Sequence, residues 1–132
     1  MLSRTRPRPR ARAGFTLVEL LVVMALIALL LSIAIPRYLN SVEKSREAVL
    51  RANLHLTRQM LDKYYEDHGK YPDSLAKLVD SRYLRSVPQD PVTGSSETWV
   101  VVVPDAPEQG GVQDIRSGAT GSALDGSAYG DW

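Results

Sequence analysis

Few side chains in this sequence have the spacing that chemistry needs. The two histidines, His55 and His68, stand without a partner pattern, and the chain has no cysteine. No zinc-ligand spacing, nucleophile elbow, phosphate-cradling glycine loop or dinucleotide fingerprint occurs. The missing thiols exclude cysteine catalysis and a disulfide framework. A protein of this kind is expected to be a substrate of enzymes and not an enzyme. The residue that stands out is Glu19, because the run from Phe15 to Ile35 is otherwise apolar apart from Thr16 and Ser32. A carboxylate carried into lipid costs on the order of 2.5–3.5 kcal/mol on insertion scales, so Glu19 must either reach the interface or find a partner.

The element that positions Glu19 reads as a membrane span. As a helix, the 21 residues from Phe15 to Ile35 would cover about 32 Å at 1.5 Å per residue, which matches a hydrocarbon core of about 30 Å. Arg4, Arg6, Arg8, Arg10 and Arg12 precede the span with no acidic residue among them. The positive-inside rule keeps that end in the cytoplasm and sends the carboxy-terminal part outward. The whole-chain charge of +1 hides this asymmetry: without the five leader arginines, eleven basic residues face fifteen acidic ones, a net of −4. Arginine alternating with proline directly before a span is a topology signal and not a nucleic-acid-binding tail. A secretory signal is the competing reading, since Ser32-Ile33-Ala34 offers small residues for cleavage after Ala34. The apolar run is longer than the usual h-region and contains Glu19, both of which argue against it.

The segment Arg12-Ala13-Gly14-Phe15-Thr16-Leu17-Val18-Glu19-Leu20 resembles the class III signal of type IV pilins and type II secretion pseudopilins. The resemblance implies cleavage between Gly14 and Phe15 by a membrane prepilin peptidase, followed by N-methylation of Phe15. Glu19 would then lie one helical turn from the new amino terminus. There its carboxylate can compensate the ammonium of its own chain or of a neighbouring subunit. The resemblance further implies assembly with other copies of the chain, with minor pseudopilins and with an inner-membrane assembly platform. The implied location is the bacterial inner membrane, with a single pass and a periplasmic carboxy-terminal part.

Beyond Pro36 the pattern remains helical. Tyr38, Val42, Val49, Ala52, Leu56, Met60 and Tyr64 form one apolar stripe, and Leu50, Leu54, Leu61 and Tyr65 flank it. Lys44, Arg51, His55, Arg58 and Asp62 occupy the other side. One long helix is expected from about Phe15 to about Asp67, kinked or locally melted near Pro36 and stopped by Gly69. Asp73 or Ser74 could cap a short helix through Leu75, Leu78 and Val79. Thr98 to Val103 is the strongest strand, Val112 to Arg116 a second, and Thr93-Gly94-Ser95-Ser96 a loop tip. Trp132, at the end of a tail rich in Gly, Ser and Ala, is expected to pin that tail to the domain.

The expected organisation is a leader at 1–14, a transmembrane and polymerisation helix at 15–35, its amphipathic continuation at 36–67, and a small periplasmic region at 68–132. The fold class is α+β, of type IV pilin-like form: a long helix packed on a small antiparallel sheet. Gly69-Lys70-Tyr71-Pro72, Tyr83-Leu84, Pro88-Gln89-Asp90-Pro91 and Asp114-Ile115-Arg116-Ser117-Gly118 resemble segments of the major pseudopilin of type II secretion. The chain departs from that pattern at Val92-Thr93-Gly94, where the family usually has Trp-Gly, and in a shortened tail. The resemblance implies a calcium site after the last strand, for which Asp114, Ser117 and Asp125 are the matching residues and Asp131 a weaker one. Thr120 and the short tail remove carboxylates the family would supply, so an ordinary turn rich in Asp and Gly is the other reading. The implied function is a structural subunit of a secretion pseudopilus. A type IV or competence pilin and a non-polymerising membrane-anchored binding protein are the alternatives; the missing cysteines disfavour the former, since many type IV pilins carry a carboxy-terminal disulfide loop.

Overall fold

A computed structural model describes Leu2, Pro7, Pro9 and residues 13–132. The leader arginines Arg4, Arg6, Arg8, Arg10 and Arg12 lie outside the described residues. The chain divides into two compact units, Met1–Tyr38 and Leu39–Trp132. The element order is helix α1 (Leu17–His68), helix α2 (Leu75–Asp80), strand β1 (Val100–Val102) and strand β2 (Asp114–Arg116), with short 3-10 turns at Pro107–Gln109 and Tyr129–Asp131. This is the α+β, pilin-like architecture expected.

Helix α1 starts at Leu17 and not at Phe15, because Thr16 caps it. The Thr16 hydroxyl oxygen accepts the Glu19 N–H at 3.1 Å, and the Thr16 carbonyl accepts from Leu20 N–H. A residue so used takes the non-helical cap position, which leaves Phe15 outside the helix. The helix then runs without interruption through Pro36, so the residues near it are not melted. A proline removes one amide donor, and the intact turns on either side carry the segment through. At the far end Gly69 adopts φ +73 and its N–H reaches the Tyr65 carbonyl at 2.8 Å, the left-handed stop that glycine permits.

In the second unit, Leu39–Trp132, termed the outer unit only because it follows the apolar run in the chain, α1 buries Leu50, Leu54, Thr57, Leu61 and Tyr64. The expected principal stripe is therefore not the core face. Of its members only Tyr64 is buried, while Tyr38, Val49 and Leu56 remain exposed, as does Tyr65. The cause is Thr57, which completes an unbroken 4-3-4-3 spacing from Leu50 to Tyr64. It is buried with its hydroxyl donating to the Asn53 carbonyl at 2.8 Å. A pattern read from apolar residues alone skips a threonine and shifts the face by a fraction of a turn.

The rest of the unit closes over that face. Leu78 of α2 joins Leu84, Trp99, Val112, Ile115, Ala123 and Tyr129 in the same core. Of the two candidate caps for α2 it is Ser74 that serves, accepting from the Lys77 N–H. Strands β1 and β2 pair antiparallel, Val100 opposite Arg116 and Val102 opposite Asp114. Both strands are shorter than the sequence pattern implied. Extending the register places Thr98 opposite Gly118, where an added Cβ would lie 1.9 Å from the Thr98 carbonyl oxygen. Backbones that close pack together without forming a regular ladder. A bridge between Asp90 and Ser95 encloses residues 91–94, so the turn lies two residues earlier than the expected loop tip of Thr93 to Ser96.

Where α1 ends, the Tyr83 hydroxyl donates to the Asp67 carboxylate at 2.6 Å. That bond to a carboxylate, assisted by desolvation, pushes the phenol up to about 12. Because the folded value lies above the unfolded one, the contribution to stability is whole below the unfolded pKa of about 10. It is lost as pH rises through the folded value of about 12. In a spectrophotometric titration, Tyr83→Phe should remove the highest of the tyrosinate transitions. Denaturant unfolding should separate the two stripes: Leu61→Ala is expected to cost about 2–5 kcal/mol, and Leu56→Ala no more than about 0.5 kcal/mol.

Candidate functional site

The amino-terminal site is built from a break in secondary structure followed by an apolar helix. Gly14, Phe15 and Thr16 are non-helical and exposed. Space around the Gly14 α-carbon is open, and the Phe15 side chain is 85% exposed. A peptide bond in this setting is open to a protease, since cleavage requires an extended, accessible backbone. Glu19 sits in the first turn of α1, the third helical residue after the Thr16 cap. The Thr-x-x-Glu spacing is that of a capping box, and the positive end of the helix dipole favours an acid there. The sequence therefore had a second reason for Glu19 at this spacing, independent of any partner subunit.

From Leu17 to Ile35 no side chain is buried. The most apolar window of α1 has a mean hydropathy of 2.9, and among the described residues none of it is buried. A helix that is apolar on every side and bare on every side belongs in lipid or against other apolar helices.

The residues matched to a calcium loop are each engaged with a different partner. Asp114 is held by Arg58, whose Nε donates to Oδ1 at 2.8 Å, and the same oxygen accepts the Ile115 N–H at 2.7 Å. Ser117 is buried and donates to Asp90 Oδ2 at 2.5 Å. Asp125 accepts the hydroxyl of Ser127 at 2.6 Å and its N–H at 2.9 Å, which holds its carboxyl below the usual carboxylate range. Asp131 lies exposed in the last 3-10 turn. Among the described residues no three His, Cys, Asp or Glu side chains are grouped to hold a metal ion. Calcium requires about six to eight oxygens turned toward one point, and as arranged these residues do not fit it.

Three residues that do position this region were passed over in the sequence pattern. Asp90 reads there as part of a connecting segment. In the fold it is fully buried, its Oδ1 accepting the N–H groups of Val92 and Thr93 and its Oδ2 the Ser117 hydroxyl. The Asp-Pro dipeptide among turn residues is the signal for such an Asx turn. Arg58, by contrast, reads as a member of the polar helix face, and Glu47 carries no signal in the sequence pattern. Glu47 accepts the Leu124 N–H at 2.7 Å and the Tyr129 hydroxyl at 3.3 Å. Burial and the nearby Glu47 together push the Tyr129 phenol up. Trp132 does pin the tail: its indole N–H donates to Ser127, and Arg51 lies 4.2 Å over its ring.

One apolar amino-terminal helix, capped just after an exposed Gly-Phe bond and continuing into a small α+β unit, defines a membrane-anchored protein of pilin-like architecture. Residues 9–35 match the family model described as the prokaryotic N-terminal methylation motif. Over 126 residues the chain is 30% identical to the fimbrial protein EcpC of Eikenella corrodens, covering 89% of this chain and 80% of that protein. It is 28% identical over 140 residues to the type II secretion system core protein G of Aeromonas hydrophila, covering 93% and 94% of the two chains. It is 35% identical over 79 residues to a type IV wide pilus major component of Thermus thermophilus, covering 60% of each. No solved structure matches the chain. The chain belongs to the pilin and pseudopilin family that carries this methylation motif.

Replacing Asp90 tests the buried node. Asp90→Ala strands the buried Ser117 hydroxyl and takes the acceptor from the half-buried Val92 N–H and the exposed Thr93 N–H, and is expected to cost about 1–3 kcal/mol. Asp90→Asn, which keeps one acceptor oxygen, should fall between that variant and the wild type in denaturant unfolding.

Proposed function

We propose that this chain is a major pseudopilin-like structural subunit of a type II secretion pseudopilus. The observation that carries the reading is the bare apolar surface of α1 from Leu17 to Ile35, which lipid covers before assembly and neighbouring helices cover afterwards. The chain enters the inner membrane with its basic leader in the cytoplasm and its outer unit in the periplasm. A prepilin peptidase cuts between Gly14 and Phe15 and methylates the Phe15 amine. Glu19 then meets an ammonium, in its own chain or in the next subunit, and sets the axial register as copies join on an assembly platform beside minor pseudopilins. Pro36 marks the point where the helix passes from the span to the outer unit. The rod so formed helps drive protein export. Similarity to core protein G along almost the full length of both chains supports this assignment. Higher identity to a fimbrial protein and to a type IV pilus component supports a second reading, a type IV or competence pilin with the same processing and the same role for Glu19.

Co-expression with a prepilin peptidase, followed by mass spectrometry of the mature amino terminus, tests the processing. A methylated Phe15 is expected; an intact start, or cleavage after Ala34, overturns the reading. Glu19→Ala should insert into the membrane as well as the wild type. It should nonetheless form cross-linkable filaments at least about tenfold less well, since removing one partner of a buried ion pair costs about 3–5 kcal/mol. Unimpaired assembly would remove the register role, and failure of the processed wild type to assemble would favour a non-polymerising anchored protein.

A further inference from the structure

Three oxygens converge on the guanidinium of Arg58. Its Nε donates to Asp114 Oδ1 at 2.8 Å, and one terminal nitrogen donates to the carbonyl oxygen of Ile115 at 2.9 Å and a main-chain oxygen of Trp132 at 2.6 Å. A side-chain carboxylate and two main-chain oxygens, one of them on the last residue Trp132, are the donor types that a hard divalent cation collects. Here they surround a planar organic cation whose N–H directions are fixed. The oxygens come from strand β2 and from the end of the tail, and the cation comes from α1, so a single group ties three separate parts of the outer unit.

Two further groups on α1 hold the same tail. Glu47 accepts the Leu124 N–H, and Arg51 lies over the Trp132 ring and 3.7 Å from Asp125. An arriving divalent ion would have to displace the guanidinium from Asp114. It would find Asp125 already committed to Ser127 and Ser117 to Asp90.

We propose that Arg58 occupies the structural place of a metal in this protein: the tail, residues 119–132, is fastened to α1 by the chain's own cation, and its fastening is independent of calcium and other divalent ions. The inference concerns the outer unit alone and stands whichever filament the chain builds. Since Arg58 and Asp114 are each more than a third exposed, the fastening is screened by salt and weakens as ionic strength rises.

Hydrogen exchange followed by mass spectrometry on the full chain in detergent micelles tests this. The reporters are the tail amides of Ala123, Tyr129 and Trp132, which donate to Ser127, Gly121 and Tyr129 carbonyls. Wild-type exchange should be the same in calcium chloride and in EDTA. Arg58→Met keeps the apolar stem and removes the charge; tail exchange should rise about tenfold in both conditions, as expected for loss of bonds to a charged group. Arg58→Lys, with its charge but without the fork, should lie between. Faster wild-type exchange in EDTA, or unchanged tail protection in Arg58→Met, would overturn the proposal. Should Arg58→Met fail to fold, the wild-type comparison and the Arg58→Lys variant still decide.

Discussion

The outer unit has one extended surface to fold against, the face of α1 that carries Leu50, Leu54, Thr57, Leu61 and Tyr64. Its other elements are a six-residue helix and two three-residue strands. A two-stranded sheet of that length is marginal in water without a surface to cover. Trp99, Val112 and Ile115 therefore gain their burial from the helix and from each other in a single core. Without that face the connecting segments have little reason to keep their places.

The polar side of the same helix is put to structural use as well. Asn53 donates to the Gln89 carbonyl at 2.8 Å, which seats the segment before Asp90. Glu47, Arg51 and Arg58 reach the tail and strand β2. Among the described residues every fully buried side-chain nitrogen or oxygen has a hydrogen-bond partner. A unit with so small an apolar core thus holds its irregular chain by hydrogen bonds from side chains to main chain.

One helix consequently serves two solvents. Its amino-terminal half is apolar all round and matches lipid or like helices, whereas its outer half has one apolar face and a set of charges committed to the folded unit. The continuity of α1 through Pro36 makes both halves one element.

The apolar run, the N-terminal methylation motif and the glycine stop of the long helix were legible from composition and local spacing. Hydropathy, the Thr16 cap on the Glu19 N–H and the left-handed Gly69 each act over a single turn or through contact with solvent, so their meaning travels with the sequence. What only the tertiary structure decided was which side of the outer helix is the core and what the charged side does. Thr57 becomes a core residue because its hydroxyl finds the Asn53 carbonyl one turn back. The family resemblance implied one oxygen cluster from Asp114, Ser117 and Asp125, yet they face Arg58, Asp90 and Ser127 in space. Arg58 and Asp114 stand 56 residues apart, and a pairing over that separation arises only once the chain has closed on itself.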